Sequence, residues 1–504
     1  MKRVFVFAVL ALASVAFASG TVEESATISE LIAKAPDAQA LEAFVDSSGL
    51  EIGPLITYPN PSEEVLELFG CYYIVTIPDE LQEVQNSLVD IMEELDGIEY
   101  VESNLRIQLE PEVEEDSESY FFMPDSFPDP YTPNDPLYPQ QWSKIHTETD
   151  WAWNVSTGEG ASIAILDTGV DTDHEDLIDN LDMEHAYNFC HNNTNVEDVI
   201  GHGTGVAGCA AATIDNGKGI AGIAGNAAIM PLRLSDDQGN IYTSATVNAI
   251  LYAADNGATA INMSFGQNTS NPTELSAVNY AWGKGCFLCS TAGNDDKNKP
   301  RYPGAYENVM CVGASDPSDS RCWFSNYGPT VNVYAPGVNV WRPTKEGGYK
   351  PVSGTSIACP QIAGLAALIW AAHPDWTNQQ VWDKIIESAD TITIDKGKVL
   401  RMNARKALDV EKIEEIAEQP VTLPFISAIQ IQHGSVNFAY STPDATDYTL
   451  SIYDVSGREV YARDGQLAGS GEITYNPVSL SEGVYFWRIS TEQGEVSGKF
   501  VYVK

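Results

Sequence analysis

The sequence predicts an α/β fold: a parallel sheet with helices on both faces, preceded by a small α+β unit and followed by a small antiparallel β-sandwich. Between about Trp142 and Leu408, short apolar strands such as Ser162-Ile-Ala-Ile-Leu alternate with helical stretches. Continuous apolar strands with helical connections are typical of a parallel sheet buried on both faces. From residue 425 onwards apolar residues recur with period two, as in Tyr448-Thr-Leu-Ser-Ile-Tyr, and this alternation predicts antiparallel strands.

The length and charge of the chain limit the functions it can have. It contains 504 residues, enough for about three domains. Its 71 acidic and 27 basic residues give a net charge of −44. Because such a field repels phosphate, we expect no nucleic-acid partner. More than half of this charge lies in residues 19–125, which hold 26 acidic and two basic residues.

The amino terminus has the features of an export signal. Lys2 and Arg3 precede an uncharged apolar run at 4–17, and Ala16-Phe-Ala supplies small residues for cleavage after Ala18. The alternative is a membrane anchor, but the run is shorter than the roughly 20 residues that span a bilayer. We therefore expect a secreted protein, outside the cell or at its surface.

Composition divides the rest of the chain. Residues 19 to about 110 resemble a small α+β unit, in which apolar residues between Leu81 and Leu95 have helical spacing. Acidic and proline-rich residues then predict a linker. The predicted divisions are a signal peptide at 1–18, an acidic α+β unit with its linker at 19–125, a central α/β domain at 126–410, a linker at 411–424 and a carboxy-terminal domain at 425–504.

The cysteines do not predict a disulfide scaffold. Eight cysteines in a chain of this length are sparse, and seven of them lie between Cys190 and Cys359, so at least one of those seven is free if they pair only with each other. Cys286 and Cys289 form a C-x-x-C. Their surroundings resemble a buried strand rather than a redox or metal site.

Four segments of the central region carry residues suited to catalysis. The first is Asp167-Thr-Gly, which follows an apolar strand. The same tripeptide marks aspartic proteases, but those need two such carboxylates and we find no second one. The others are His202, between two glycines; Asn294, after Ser290-Thr-Ala-Gly; and Ser356, before an apolar helix. Alone, they could be a structural histidine, a turn asparagine and a helix N-cap serine.

Together the four segments are much more specific. Their order Asp, His, Asn, Ser, within D-T-G, G-H-G-T-x-V-A-G and G-T-S-x-A-x-P motifs, resembles the subtilisin-like serine proteases, or subtilases. The resemblance covers about Pro133 to Leu408 and implies a subtilisin-like fold. Three positions depart from the usual pattern: Gly205, Ile357 and Gln361. None of them is Asp167, His202 or Ser356.

The resemblance implies a role for each residue. Ser356 would attack the scissile carbonyl, His202 would move the proton, and Asp167 would orient the imidazole. Asn294 and the Ser356 N–H would hold the oxyanion. A protein or peptide substrate would lie as an added strand beside Ser264, Phe265 and Gly266, and catalysis would need no cofactor.

The family also binds calcium. Asp135, Asp176 and Asn216 lie in segments similar to its calcium-binding segments, and hard oxygen ligands suit Ca²⁺. The alternative is that these are exposed acidic loops in an acidic protein.

The flanking regions resemble known accessory domains. The acidic unit before Glu110 resembles the inhibitory propeptide of subtilases, with cleavage expected between about Ile107 and Tyr131. The tail, with Leu450-Ser-Ile-Tyr-Asp-Val-Ser-Gly, resembles the carboxy-terminal sorting domains of bacterial type IX secretion, which implies secretion machinery as a partner. A substrate-binding β module is the alternative for the tail.

Two questions stay open at this point. Arg301, next to a Tyr-Pro, could face the pocket for the side chain before the scissile bond and select Glu or Asp, or it could turn outward and leave a pocket for large apolar side chains. The chain could also be an inactive subtilase used for binding, or a structural surface protein.

Overall fold

A computed structural model describes residues 30–36, 38–48, 50–77, 85–95, 97–109, 112, 130–410, 425–432, 435–454, 458–476, 483–491 and 494–502. The chain divides into two compact units, one of residues 1–119 with 130–410 and one of residues 120–129 with 411–504. The predicted signal peptide, the linker at 411–424 and most of the predicted cleavage region lie outside the described residues.

The amino-terminal part of the first unit is an α+β subdomain. Its four described strands form an antiparallel sheet in the order β2-β3-β1-β4. Leu88 and Met92, four residues apart in the predicted helical segment, are both buried. The elements are β1 (Glu30–Lys34), α1 (Ala38–Ser48), β2 (Glu51–Pro54), α2 (Glu63–Phe69), β3 (Tyr72–Thr76), α3 (Gln85–Glu93) and β4 (Tyr100–Ser103), followed by β5 (Arg106–Leu109).

The central part of the first unit consists of strands and helices that alternate along the chain. Its strands are β6 (Ser162–Asp167), β7 (Tyr187–Asn188), β8 (Ala228–Arg233), β9 (Ile241–Tyr242), β10 (Ala260–Met263), β11 (Phe265–Gly266), β12 (Phe287–Thr291), β13 (Met310–Ser315), β14 (Val333–Pro336), β15 (Val340–Pro343), β16 (Tyr349–Val352), β17 (Asp390–Ile394) and β18 (Gly397–Arg401). Its helices are α4 (Trp142–His146), α5 (Thr149–Ala152), α6 (His202–Ala211), α7 (Thr243–Asp255), α8 (Pro272–Gly283), α9 (Thr355–Ala372), α10 (Asn378–Ser388) and α11 (Ala404–Ala407).

The main sheet is buried on both faces, as its apolar strands predict. Within the described residues it has nine strands, in the order β17-β18-β14-β13-β12-β10-β6-β8-β7, and all neighbours except β17 and β18 are parallel. Alternate residues of β6 lie in different cores: Ile163 and Ile165 in one, Ala164 and Leu166 in the other. Each face is therefore covered by its own apolar layer.

Helix α9 lies inside one of these layers. It is long and apolar enough to cross a membrane by length and composition, but 83% of its most apolar window is buried within the fold. Gly364 allows close packing, because an added Cβ there would lie 2.9 Å from the carbonyl oxygen of Ala210 in helix α6. The helix is thus the buried core helix that its sequence predicts.

The eight cysteines are all free, and those of the main sheet are buried. The Sγ atoms of Cys289 and Cys359 are 3.6 Å apart. Cys286 lies just before β12 and is buried, as the strand-like sequence around it predicts.

The second unit contains an antiparallel sheet. Its described strands are β19 (Phe425–Gln432), β20 (Ser435–Asp454), β21 (Glu459–Tyr475), β22 (Gly483–Thr491) and β23 (Gly494–Tyr502). They are ordered β19-β20-β22-β23, with β21 paired to β20. Tyr448, Leu450 and Ile452 are buried in its core, so the period-two pattern matches the buried face.

Candidate active site

A buried carboxylate at the end of β6 is paired with a histidine at the start of helix α6. Asp167 Oδ1 lies 2.7 Å from His202 Nδ1, and their side chains are 0% and 6% exposed. The N–H of Thr168 donates to the same oxygen. A Cβ on residue 203 would lie 3.0 Å from Asp167 Cβ and 2.1 Å from a backbone oxygen, so glycine there permits the close approach.

The charges around His202 favour its protonated form. Burial lowers the pKa of His202, but the charge and hydrogen bond of Asp167, together with the charge of Glu112, hold that pKa above its ordinary value. Among the described residues, His202 Nε2 has no hydrogen-bond partner. The imidazole can therefore take up a proton at Nε2 while Asp167 holds the other ring nitrogen.

Ser356 is the second residue of helix α9 and is buried. In the described part of the chain, its Oγ has no hydrogen-bond partner either. The hydroxyl of Ser264 donates to the Ser356 carbonyl oxygen at 3.0 Å. Helices α9 and α6 are in contact at Gly364 and Ala210. Gly364 lies eight residues after Ser356 and Ala210 lies eight residues after His202, so Ser356 and His202 are equally far from this contact along their helices.

Asn294 is held with its amide nitrogen towards Ser356. Its Oδ1 accepts hydrogen bonds from Thr355 N at 3.0 Å and Thr355 Oγ1 at 2.7 Å. A Cβ built on Gly354 would lie 3.0 Å from Ser356 Oγ and 3.7 Å from Asn294 Nδ2. The amide donor and the serine hydroxyl therefore border the same small space, where a substrate oxyanion could sit.

Asp198 is a buried residue of the site that the sequence did not single out. Its carboxylate accepts hydrogen bonds from Thr168 Oγ1, from Gly201 N and from the N–H and hydroxyl of Thr204. These bonds fasten the turn before His202 to the end of β6. An aspartate in a polar loop carries no sequence signal that distinguishes it from a solvated one.

The predicted substrate strand is paired with the amino-terminal subdomain. Strand β5 lies between β11 and β9, antiparallel to both, with Leu109 opposite Phe265 and Gln108 opposite Gly266. Ser264 and Phe265 are fully buried. The chain's own segment thus occupies the edge at which a substrate was predicted to bind.

Arg301 lies between two glycine backbones that border this edge. Its Cγ and Nε would be 2.9 and 3.2 Å from a Cβ on Gly266, and its Cδ 3.5 Å from one on Gly293. Its Nη1 donates to Asn268 Oδ1 at 3.1 Å. Since Gly293 directly precedes Asn294, the stem of Arg301 borders the space next to the predicted oxyanion donor.

Glu112 brings a third acidic group to the site. Its carboxylate contacts the Arg342 guanidinium and lies 3.6 Å from Lys350 Nζ. Burial raises the pKa of Glu112, but Arg342, His202 and Lys350 together hold it below its ordinary value. Glu112 is therefore ionised at neutral pH.

Glu274, which is hydrogen-bonded to the residue after β11, is a buried carboxyl group with a raised pKa. Its Oε2 accepts hydrogen bonds from Tyr306 at 3.0 Å and from Gln267 at 3.4 Å. Burial raises its pKa to about 7, despite these hydrogen bonds, and Glu102 adds repulsion. The sequence of helix α8 gives no sign of this burial.

The residues predicted to bind calcium lie near each other. Asp176 Oδ1 accepts from Asn216 Nδ2 at 2.7 Å, and Asp176 Oδ2 from Ile220 N at 2.9 Å. Burial is the main cause that raises the pKa of Asp176 to about 6, and the charge of Asp135 contributes to the rise. Within the described residues Asp135 Oδ1 is buried without a hydrogen-bond partner, and no group of three or more His, Cys, Asp or Glu residues is arranged to hold a metal. Two nearby buried carboxylates, one with an oxygen unpartnered in the described part of the chain, suit a hard cation.

Two family models match the chain. One, described as the subtilase family, matches residues 158–412, and the other, described as a secretion system C-terminal sorting domain, matches residues 428–504. These matches confirm both resemblances predicted from the motifs.

Similar proteins include several serine proteases. The chain is 43% identical over 265 residues to the thermophilic serine proteinase of Bacillus sp. (strain AK1), covering 52% of this chain and 65% of that protein. It is 40% identical over 240 residues to thermitase of Thermoactinomyces vulgaris, covering 47% of this chain and 85% of that protein.

A solved structure also resembles the chain. It is a protease from Pseudoalteromonas arctica PAMC 21717, with a TM-score of 0.51 and 29% identity, which covers 55% of this chain and 99% of that structure. This similarity confirms the predicted fold class.

Proposed function

Because this chain belongs to the subtilase family, we propose that it is a secreted serine endopeptidase, made as a precursor, that hydrolyses peptide bonds through Asp167, His202 and Ser356. The observation that carries this proposal is the buried 2.7 Å contact between Asp167 and His202. The two atoms that would react, Ser356 Oγ and His202 Nε2, are both buried, and neither has a hydrogen-bond partner among the described residues, so they are not hydrogen-bonded to each other before substrate binds.

In the proposed reaction, Ser356 Oγ attacks the scissile carbonyl carbon and gives its proton to His202 Nε2. Asp167 stabilises the imidazolium through Nδ1–H. Asn294 Nδ2 and the Ser356 N–H donate to the oxyanion. His202 then protonates the leaving amine, and the ester left on Ser356 is hydrolysed by water that His202 deprotonates. No cofactor takes part in these steps.

Thr355 would act as a positioning residue in this scheme. Its N–H and hydroxyl both donate to Asn294 Oδ1, which leaves the amide nitrogen as the end facing substrate. The Thr355 hydroxyl oxygen in turn accepts hydrogen bonds from Gly293 N and from the Thr291 hydroxyl. The donor would thus be oriented before substrate binds, which is the condition under which it stabilises developing charge most effectively.

The amino-terminal subdomain would inhibit the enzyme until it is removed. The pairing of β5 with β11 and β9 supports this role, because a substrate cannot pair with the same edge while β5 is there. We propose that the enzyme cuts its own precursor between about Ile107 and Tyr131.

Calcium would stabilise the catalytic domain. Asp135, Asp176 and Asn216 would hold the ion, and its charge would offset the repulsion between the two carboxylates. The carboxy-terminal domain would deliver the protein to a secretion machinery, in keeping with its sorting-domain match.

Labelling with a fluorophosphonate tests the proposed catalytic role. The mature protein should be labelled at Ser356, and Ser356→Ala should abolish labelling. The matched control is Ser353→Ala, three residues away, whose hydroxyl accepts from Asn339 N; this variant should still be labelled. A correctly folded mature protein that resists labelling would instead favour a binding or structural role.

A further inference from the structure

Arg342 is a buried arginine beside the helix that carries His202. It lies on β15, is 4% exposed, and packs against Gly205. A Cβ on residue 205 would lie 2.2 Å from Arg342 Cδ and 2.4 Å from Nη1. The glycine at this position therefore makes room for the guanidinium.

The contacts of Arg342 leave one side of the guanidinium for a carboxylate. Nη1 donates to the carbonyl oxygens of Gly201 at 3.1 Å and Pro343 at 2.8 Å, whereas Nη2 donates to Glu112. Lys350, opposite Arg342 on β16, approaches the same carboxylate. In the described part of the chain, Glu112 is the one acidic residue paired with either cation.

Glu112 follows the strand β5, which pairs with the predicted substrate edge. Leu109 is opposite Phe265 and Gln108 is opposite Gly266, so β5 runs in the direction of Ser264, whose hydroxyl donates a hydrogen bond to the Ser356 carbonyl oxygen. Glu112 follows Leu109 by three residues, and its charge acts on His202. A residue that binds beside Arg342 would therefore belong to the leaving-group side of a substrate.

Removal of the propeptide, which is part of the proposed function, would take Glu112 away from Arg342. A buried guanidinium without a counter-charge is costly, so the uncovered site would favour another carboxylate. We propose that Arg342 and Lys350 form a carboxylate-binding subsite on the leaving-group side of the active site. Glu112 fills it in the precursor, and a Glu or Asp side chain of the substrate fills it in the mature enzyme.

Peptide pairs that differ by one charge test the subsite. Mature enzyme is given fluorogenic peptides with an identical half before the scissile bond and either Glu or Gln at the first, second or third position after it. We expect kcat/KM for Glu to exceed that for Gln by about tenfold or more at one position, the size of a charge-assisted hydrogen bond. A ratio near one at all three positions overturns the proposal.

Variants of the cationic residues test whether a preference for Glu over Gln comes from Arg342 and Lys350. The Glu-to-Gln ratio should fall towards one in Arg342→Gln and in part in Lys350→Gln, and it should persist in Lys345→Gln, whose ammonium donates instead to Val199 O. Because the ratio is measured within each variant, a general loss of activity does not affect it. If Arg342→Gln does not fold, Lys350→Gln still decides, and a ratio unchanged in Lys350→Gln overturns the proposal.

A peptide nitroanilide, which has no residue after the bond, separates this proposal from the proposed function. Hydrolysis of the nitroanilide with equal use of Glu and Gln peptides overturns the subsite alone. No hydrolysis of either substrate class overturns the proposed function and the subsite with it.

Discussion

The replacement Arg301→Gln should change which side chain the enzyme accepts before the scissile bond. The stem of Arg301 lies between the backbones of Gly266 and Gly293, next to Asn294, the proposed oxyanion donor. A guanidinium that borders this space can pair with a carboxylate of the substrate. We therefore expect the unmodified enzyme to prefer Glu at this position over its neutral analogue Gln.

The contacts of Arg301 set the size of that preference. A hydrogen bond to a charged group is worth about 1.5–3 kcal/mol, or roughly 10- to 150-fold in kcat/KM. Nη1 already donates to Asn268, and the side chain is partly exposed, so solvent screens the pair. We expect the lower end, about tenfold, and a ratio near one in Arg301→Gln.

The assay compares kcat/KM for matched peptides with Glu, Gln or Phe before the scissile bond. Lys297→Gln, which removes the same charge from an exposed side chain four residues earlier, is the control and should leave the ratio unchanged. A strong preference for Phe over Glu that Arg301→Gln does not alter would refute the reasoning, because Arg301 would then face away from the pocket.

Four further predictions concern processing, metal binding, domain roles and pH. Ser356→Ala should leave the precursor uncut on electrophoresis, and normal maturation of this variant expressed alone would exclude self-processing. Calcium should raise the melting temperature, because at a hundred times its Kd it would add about 2.7 kcal/mol to the free energy of unfolding. Asp176→Ala should remove this effect, and equal melting curves in calcium and in chelator would contradict the site. Truncation at about Pro420 should preserve turnover of a small peptide, since the triad lies in the first unit. Glu274→Gln should stabilise the protein at pH 8 by up to about 3 kcal/mol, because a carboxyl whose pKa rises from about 4.5 to about 7 on folding destabilises the folded state as pH rises through that range. Denaturant unfolding at pH 5 and pH 8 measures this change in the free energy of unfolding. If the variant and the unmodified protein have the same pH dependence, Glu274 is not protonated near neutrality.

Local motifs were enough to predict which elements carry the candidate catalytic residues. Asp167 ends a strand whose apolar run is visible in the sequence, and Ser356 begins a helix whose apolar run is equally clear. Small residues around His202 indicate close packing, and Gly203 indeed approaches Asp167. Each motif carries its own local geometry, so the elements could be assigned without knowing how distant segments meet.

Contacts between distant charged residues could not be predicted in this way. Glu112 and Arg342 are 230 residues apart, and neither belongs to a periodic pattern. Glu274 is in the first turn of helix α8, and a glutamate side chain is normally exposed. Arg301 had two plausible directions, because its direction depends on the packing of Gly266 and Gly293 on either side of it.

Removal of the proposed acidic propeptide would change both the electrostatic field of the protein and the charges beside Arg301 and Arg342. The chain carries a net charge of −44, and more than half of it lies in residues 19–125. That charge opposes the approach of an acidic substrate over long distances, while Glu112 fills the pocket of Arg342 at short range. Removal of the same segment would relieve both effects. The mature enzyme would then recognise an acidic substrate through short-range contacts with Arg301 on one side of Ser356 and with Arg342 on the other. Because Arg342 is buried, salt would screen its ion pair less than the pair at Arg301.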